Sequence, residues 1–210
     1  MSGLVGRHKS LIFDLGRVLV YFDFARAYRA LEAFCPCAAP EMPKRLFTTD
    51  LVQRLETGRI SARDFYAGFS QLIQLDLDYD RFCGIWASIF THALLPESLL
   101  ENLSKRYRLV LLSNTNPIHF EMIRRAYPHL KYFHDLTLSY EVGALKPEEA
   151  IYRAALERAG CEPGECFYTD DIPEFVEAGR RTGMDAVKFE SREQLERELG
   201  ARGIYSAVIL

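Results

Sequence analysis

Leu11-Ile12-Phe13-Asp14-Leu15-Gly16 is the stretch from which the rest of the chain is read: three apolar residues run without alternation into a carboxylate, then a glycine. A strand covered on both faces of a parallel sheet has this pattern, because neither face needs polar side chains. The pattern returns twice. Residues 109–112, all Leu or Val, run into Ser113-Asn114, and Cys166-Phe167-Tyr168 runs into Thr169-Asp170-Asp171. Weaker strand candidates lie at 136–139, 186–189 and 207–210. Between them stand helical segments with start signals. Pro96 precedes Leu99, Leu100 and Leu103; Pro147 precedes Ile151, Ala154, Ala155 and Leu156; Pro173 opens a segment through Val176; Ser191 precedes a charged helix ending at Gly200, with Leu195 and Leu199 four apart. Strands alternating with helices predict an α/β fold, a Rossmann-like doubly wound parallel sheet.

Residues 21–95 break that rhythm, with helical patterns in succession and no convincing strand. The expectation is an α/β core from 1–20 and 96–210 carrying an inserted α-helical cap at 21–95. Phe65, Phe69, Leu72 and Ile73 share one helical face, and Phe82, Ile85, Trp86, Ile89 and Phe90 another, as the insertion's own core would require. Ser61 and Asp64 have the spacing of a capping box closed by the shorter acid. The proline-rich piece from Cys35 to Pro43 reads as a loop.

Composition limits the setting. The chain has 210 residues, 49% hydrophobic and 26% charged, which excludes a disordered or collagen-like polypeptide and suffices for a large core. Lys plus Arg number 26 against 29 Asp plus Glu, a net charge of −3 that offers nucleic acid no basic excess. The five cysteines are odd in number and irregularly spaced, which suits free thiols in the cytoplasm better than a disulfide framework. Cys35 and Cys37 lack a second close pair of zinc-site spacing. The basic start Arg7-His8-Lys9 leads into an apolar run that Asp14 and Arg17 interrupt, so neither a signal peptide nor a membrane span is expected. Histidines 8, 92, 119, 129 and 134 show no metal-like pairing.

In an open parallel sheet ligands bind beyond the carboxyl ends of the strands, so Asp14, Ser113 and Asp171 should converge there, with Lys146 delivered beside Pro147. Each residue alone is ordinary turn chemistry. Together they suit phosphoryl transfer. Two carboxylates held close repel one another unless a hard divalent cation such as Mg²⁺ sits between them. A lysine adds positive charge, a serine hydroxyl and backbone N–H groups grip phosphoryl oxygens, and one carboxylate can attack phosphorus in line.

LIFDLGRVLV, LVLLSNTN, GALKPEEAIY and FYTDDIPEFVEAG, in this order and spacing, resemble the four motifs of the haloacid dehalogenase (HAD) superfamily of hydrolases, and the resemblance covers nearly the whole chain. It is nearest to the phosphatase branch whose first motif reads Asp-Leu-Gly and whose helical cap lies between the first and second motifs, a group that includes sugar phosphate phosphatases such as α-glucose-1-phosphatase. Residues 56–61 and Trp86 look like that branch's cap. The resemblance implies Asp14 as nucleophile and Mg²⁺ ligand, the Gly16 carbonyl as a second ligand and Asp171 as a third. It implies Ser113, through its hydroxyl, and Asn114, through its N–H, as phosphate-binding groups, and Lys146 as partner of Asp14 and the phosphoryl oxygens. Asp170 is assigned to support of the metal site or to capping the helix that Pro173 begins. The implied partner is a small phosphorylated metabolite, with neither nucleic acid nor membrane, handled by a monomer or weak homodimer.

The chain departs from the pattern twice. Where the superfamily has Asp-x-Asp, with the second carboxylate as general acid and base, this chain has Gly16, a loss of about 10²- to 10⁴-fold unless something compensates. Substrates with acidic leaving groups, such as a sugar 1-phosphate, should therefore be preferred over alkyl phosphates. Four residues after Asp171 the pattern has Asn or Asp supporting the metal; here it is Phe175, which supplies no acceptor, so either Glu174 reaches the metal's waters instead or metal binding is weaker. Arg17 and Asp23 are candidates for substrate contact or for a mutual ion pair. The competing readings are a catalytically impaired phosphate-ligand sensor, for which Gly16 and Phe175 speak, and a metal-free 2-haloacid dehalogenase, against which the Asp170-Asp171 pair speaks.

Overall fold

A computed structural model describes residues 6–205. In chain order the elements are β1 Ser10–Phe13, β2 Val20–Phe22, α1 Phe24–Leu31, α2 Glu41–Phe47, α3 Leu51–Glu56, α4 Ala62–Ile73, α5 Tyr79–Ala87 and β3 Phe90–Ala93. They continue with α6 Glu97–Ser104, β4 Arg108–Ser113, α7 Pro117–Ala126, β5 Asp135–Leu138, α8 Ser139–Val142, α9 Glu149–Ala159, β6 Cys166–Asp170, α10 Pro173–Arg181, β7 Asp185–Lys188 and α11 Arg192–Ala201. Five strands form a parallel sheet in the order β5-β4-β1-β6-β7. The chain fills one side of β1 before it crosses to the other, so the switch point falls at the carboxyl end of β1.

The unbroken apolar runs follow from burial on both faces. Leu11, Phe13, Leu109, Leu111 and Phe167 point into a core that includes Leu99, Leu100, Leu103, Ile123, Leu195 and Leu199 of α6, α7 and α11. The alternate residues Ile12, Val110, Leu112 and Tyr168 point the opposite way, onto Ile151, Tyr152, Ala155 and Val176 of α9 and α10. Successive strand side chains face opposite sides, so both sets must be apolar. Each large side chain so buried contributes about 1.5–3 kcal/mol.

A separate core gathers Ala27, Leu31, Phe65, Phe69, Phe82 and Trp86 with Ile118 of α7. Its rings are in contact, with Phe65 and Phe69 stacked at 5.8 Å and Phe82 on Trp86 at 5.7 Å. The helices start where their caps predict. Ser61 and Asp64 form the capping box of α4, Asp78 accepts from the Arg81 N–H at α5, and Ser191 from the Gln194 N–H at α11.

Three expectations need correction. The 21–95 region does contain strand: β2 and β3 pair antiparallel where the chain leaves and re-enters the sheet core. A three-residue strand with a register shift between Tyr21 and Phe22 is too short to show alternation in sequence. The Cys35–Pro43 piece is not loop throughout, because α2 begins at Glu41 with Pro43 in its first turn, where a missing N–H costs no helical bond. Cys35 and Cys37 are free thiols. The weaker strands sit one residue earlier than expected, at 135–138 and 185–188, and the candidate at 207–210 lies outside the described residues. Among the described residues no helix is long and apolar enough to cross a membrane.

Candidate active site

Parallel register aligns the polar residues that end β1, β4 and β6. Phe13 pairs with Leu111 on one side and Thr169 on the other, and the Asp14 N–H donates to the Thr169 carbonyl at 3.0 Å. Asp14, Ser113, Asp170 and Asp171 therefore emerge along one sheet edge. Lys146 reaches them from the segment before α9. Its Nζ donates to Asp14 Oδ1 at 2.6 Å, to Asp170 Oδ2 at 2.6 Å and to the Leu112 carbonyl at 3.3 Å. This triad is sealed from water: Asp14 is 7% exposed, Lys146 4% and Asp170 0%.

Burial sets the electrostatics. Loss of water pushes the Asp14 carboxyl up and the Asp170 charge adds to the rise, while Lys146 pulls it down. Burial opposes the Lys146 ammonium, but attraction to Asp14 and Asp170 outweighs it and holds the lysine above its usual range. Half-buried Asp171 is raised by burial and then by Asp170. One ammonium thus faces three carboxylates, and one oxygen from each of Asp14, Asp170 and Asp171 lies within 4.8 Å of the others. Such a set of hard oxygen donors with surplus negative charge fits a small divalent cation.

Asp170 is the best-anchored member. Oδ2 accepts from both Lys146 and the Tyr168 hydroxyl, the latter at 2.6 Å, and Oδ1 accepts from the Ile172 N–H at 2.9 Å. Asp170 does not cap α10, whose N-cap Ile172 has no side-chain partner; the bond it accepts there is from the Ile172 N–H itself. Asn114 does more than its N–H suggested. Its side-chain amide donates to the Lys146 carbonyl at 3.1 Å and accepts from the Lys146 N–H at 2.8 Å, which clamps the lysine backbone. Ser113 is buried beside it, 2% exposed.

Of the remaining candidates, Arg17 stays beside the site, where it walls a cavity with Asp171. Arg17, in the left-handed region at φ 58°, lays its guanidinium over the Phe22 ring at 5.2 Å. Asp23 caps α1 by accepting from the Ala25 N–H and pairs with Arg29 at 3.6 Å, so it forms no pair with Arg17. Glu174 is exposed in the first turn of α10. Phe175 instead faces the lysine, its ring centre 5.1 Å from Lys146 Nζ, a favourable seat for a buried ammonium.

Gly16 borders a cavity of ≈100 Å³ with Phe22, Phe24, Glu56, Ser113 and His119. A Cβ on Gly16 would stand 2.7 Å from Phe22 Cε1, so the phenylalanine ring occupies the space into which a side chain here would grow. His119 is locked: Nε2 lies 3.1 Å from the Trp86 carbonyl, which can only accept, and Nδ1 therefore accepts from the Asn116 amide at 2.9 Å. Burial pushes this imidazole down to about 4. Sequence reading gave no role to Tyr168, Phe22, Asn116 or His119, and left Glu56 as part of a motif. A tyrosine two residues before Asp170, on the same side of β6, was the one available signal.

Four likenesses bear on this fold and site. The chain matches the haloacid dehalogenase-like hydrolase family over residues 8–183. It is 27% identical over 198 residues to the D-ribitol-5-phosphate phosphatase of Bacteroides thetaiotaomicron, spanning 91% of this chain and 96% of that protein. The crystal structure of a HAD-family enzyme from Bacteroides thetaiotaomicron in complex with magnesium and inorganic phosphate superposes with a TM-score of 0.77 at 26% identity, covering 88% of this chain and 96% of that one. A predicted HAD-like hydrolase from Porphyromonas gingivalis shares the fold, at a TM-score of 0.78 and 24% identity over 95% of this chain and 98% of that one. With the family matched over most of its length and the four sequence motifs gathered at one sheet edge, the chain belongs to the haloacid dehalogenase-like hydrolases.

Proposed function

We propose that this hydrolase is a Mg²⁺-dependent phosphatase that releases phosphate from a small monoester, a sugar or polyol phosphate, through an aspartyl-phosphate on Asp14. The observation that carries the reading is the buried Lys146 bridging Asp14 and Asp170 at 2.6 Å each, at the switch point of the sheet. Asp14, the Gly16 carbonyl and Asp171 would hold the cation, which when bound offsets charge on the phosphoryl oxygens. Asp14 attacks phosphorus with one carboxylate oxygen as the ester oxygen departs; water then attacks the same phosphorus and frees Asp14. Lys146 steadies Asp14 and neutralises the transferring group, the Ser113 hydroxyl and Asn114 N–H bind its oxygens, and Asp170, held by Tyr168, keeps the ammonium in place. The Asn114 side chain positions Lys146 from behind.

Residues 21–95 act as the cap that shields the site from bulk water. Gly58, at φ 67°, packs so closely on the Tyr140 carbonyl of α8 that no side chain fits between, and Glu56, two residues before it, lines the small cavity with Gly16 and Ser113, which supports this reading. The similarity to a ribitol phosphate phosphatase and to a magnesium and phosphate complex supports the same reading. The Asp170-Asp171 pair disfavours metal-free attack on carbon. The test is phosphate release from a panel of phosphate esters with Mg²⁺, with EDTA and with Asp14→Asn. The proposal expects release that both perturbations abolish. Release indifferent to both contradicts it; Mg²⁺-dependent ligand binding without release makes the chain a sensor, and halide release without metal makes it a dehalogenase.

A further inference from the structure

The ≈100 Å³ cavity at Gly16, Ser113 and Asn114 is not closed off. Phe24, Glu56 and His119, which form part of its wall, also wall a second cavity of ≈500 Å³. These three residues make a neck between the reacting centre and a chamber bounded by Tyr28, Leu46, Val52, Phe65 and Trp86. Thr49 and Gln53 add only neutral polar groups to the chamber, and Glu56 is the one charged side chain on its wall.

The neck residues differ in what they offer a ligand. Phe24 presents a ring. His119 has both nitrogens engaged by Trp86 and Asn116, so it too presents only a face. Glu56 is half-buried, and among the described residues its carboxyl has no hydrogen-bond or ion-pair partner; burial pushes it up to about 7. A carboxyl shared between its two protonation states near neutral pH can both donate and accept, which matches a hydroxyl better than an ammonium. Glu56 walls both the small cavity with Gly16 and Ser113 and the larger one beyond, so its carboxyl stands where a leaving group would pass from one to the other.

Resting on the phosphatase reading above, and replacing its sugar or polyol with a hydroxylated alcohol that bears an apolar tail, we propose that the leaving group spans both cavities: a hydroxyl close to the ester hydrogen-bonds Glu56 at the neck, and an apolar, ring-sized body fills the aromatic chamber beyond. Glu56 then selects for the hydroxyl, because a substrate without one leaves a desolvated carboxyl unpaired. The chamber selects for the body by excluding water from its aromatic walls.

Four esters separate the two contributions: propyl phosphate, 2-hydroxypropyl phosphate, 3-phenoxypropyl phosphate and 2-hydroxy-3-phenoxypropyl phosphate, compared by kcat/KM. The hydroxyl is expected to raise kcat/KM about tenfold and the phenoxy group about ten- to a hundredfold. In Glu56→Leu the hydroxyl increment disappears and the phenoxy increment persists; in Val52→Trp, or Leu46→Phe as a milder filling, the pattern reverses. Each increment is a ratio within one variant, so a general loss of activity cancels, and the slight acidification of the alcohol by its hydroxyl is common to wild type and variant. Turnover of the four esters without discrimination, or a hydroxyl increment intact in Glu56→Leu, overturns this assignment alone. If wild type releases phosphate from none of them and none from glucose 1-phosphate, the phosphatase reading fails and takes the assignment with it.

Discussion

Adding a side chain at Gly16 tests how the first motif is packed. A methyl added there in Gly16→Ala lies 2.7 Å from Phe22 Cε1 and 3.3 Å from Cδ1, well inside ordinary carbon contact of about 3.5–4.0 Å. The ring has little room to retreat, since it stands edge-on to Phe24 at 5.6 Å and Phe90 at 6.1 Å and lies under the Arg17 guanidinium. Overpacking of this kind costs about 1–3 kcal/mol, and a chain of this length loses about 2–4 °C of Tm per kcal/mol. Gly16→Ala should therefore melt roughly 2–12 °C below wild type. In a Phe22→Ala background the same methyl should cost almost nothing. The assay is a double-mutant cycle by urea unfolding, with an expected coupling of about 1–3 kcal/mol. Once the ring is gone, Gly16→Asp has space to place a carboxylate beside the leaving group and should raise turnover of alkyl phosphates, by up to about 10²- to 10⁴-fold where its geometry is right. An equal cost for the methyl in both backgrounds would refute the claim that Phe22 is what excludes a side chain at position 16.

His119 makes stability pH-dependent. Its pKa is lowered from the ordinary 6.5 to about 4, so the unfolded chain takes up this proton first as pH falls, and stability is lost between those values. The interval of 2.5 units corresponds to about 3 kcal/mol. Urea midpoints from pH 7 to 4 should fall less steeply for His119→Phe than for wild type. Lys146→Met should abolish phosphate release and lower unfolding free energy by about 3–5 kcal/mol, because two buried carboxylates lose their shared cation; urea unfolding at neutral pH without added metal checks it. With Gly16 in place of a general acid, glucose 1-phosphate should be hydrolysed faster than glycerol phosphate, and a steady-state comparison giving the reverse order would mean that another group protonates the leaving oxygen.

The sheet core was legible because burial on both faces makes the middles of β1, β4 and β6 apolar without alternation, at Leu11 to Phe13, Leu109 to Leu112 and Cys166 to Tyr168. Once those strands were placed, the parallel sheet carried Asp14, Ser113, Asp170 and Asp171 to one edge without knowledge of any contact. What stayed hidden depends on tertiary pairing. Phe22 meets Gly16 only because the chain turns back after Gly16 and β2 pairs with β3, about seventy residues away in sequence. Asn114 looked like a phosphate-binding residue from its place after Ser113, but its clamp on the Lys146 backbone requires the two loops to stand side by side. Phe175 read as a missing acceptor and turned out to seat the lysine. Pro43 read as a helix breaker and sits in a first turn that tolerates it. Glu56 stood in a recognisable cap motif, yet that it meets only ring faces at the neck, those of Phe24 and His119 on other helices, is visible only once the chain is folded.

The central claim is that Asp14 carries the phosphoryl group between substrate and water. Acid quench of the enzyme during turnover with Mg²⁺ and a phosphate ester, followed by hydroxylamine trapping and peptide mass spectrometry, tests it directly. The account predicts a hydroxamate at Asp14 in the peptide containing Leu11-Ile12-Phe13, absent without substrate and absent in Asp14→Asn. Phosphate release without a trapped residue, or with the modification on Ser113, would contradict it.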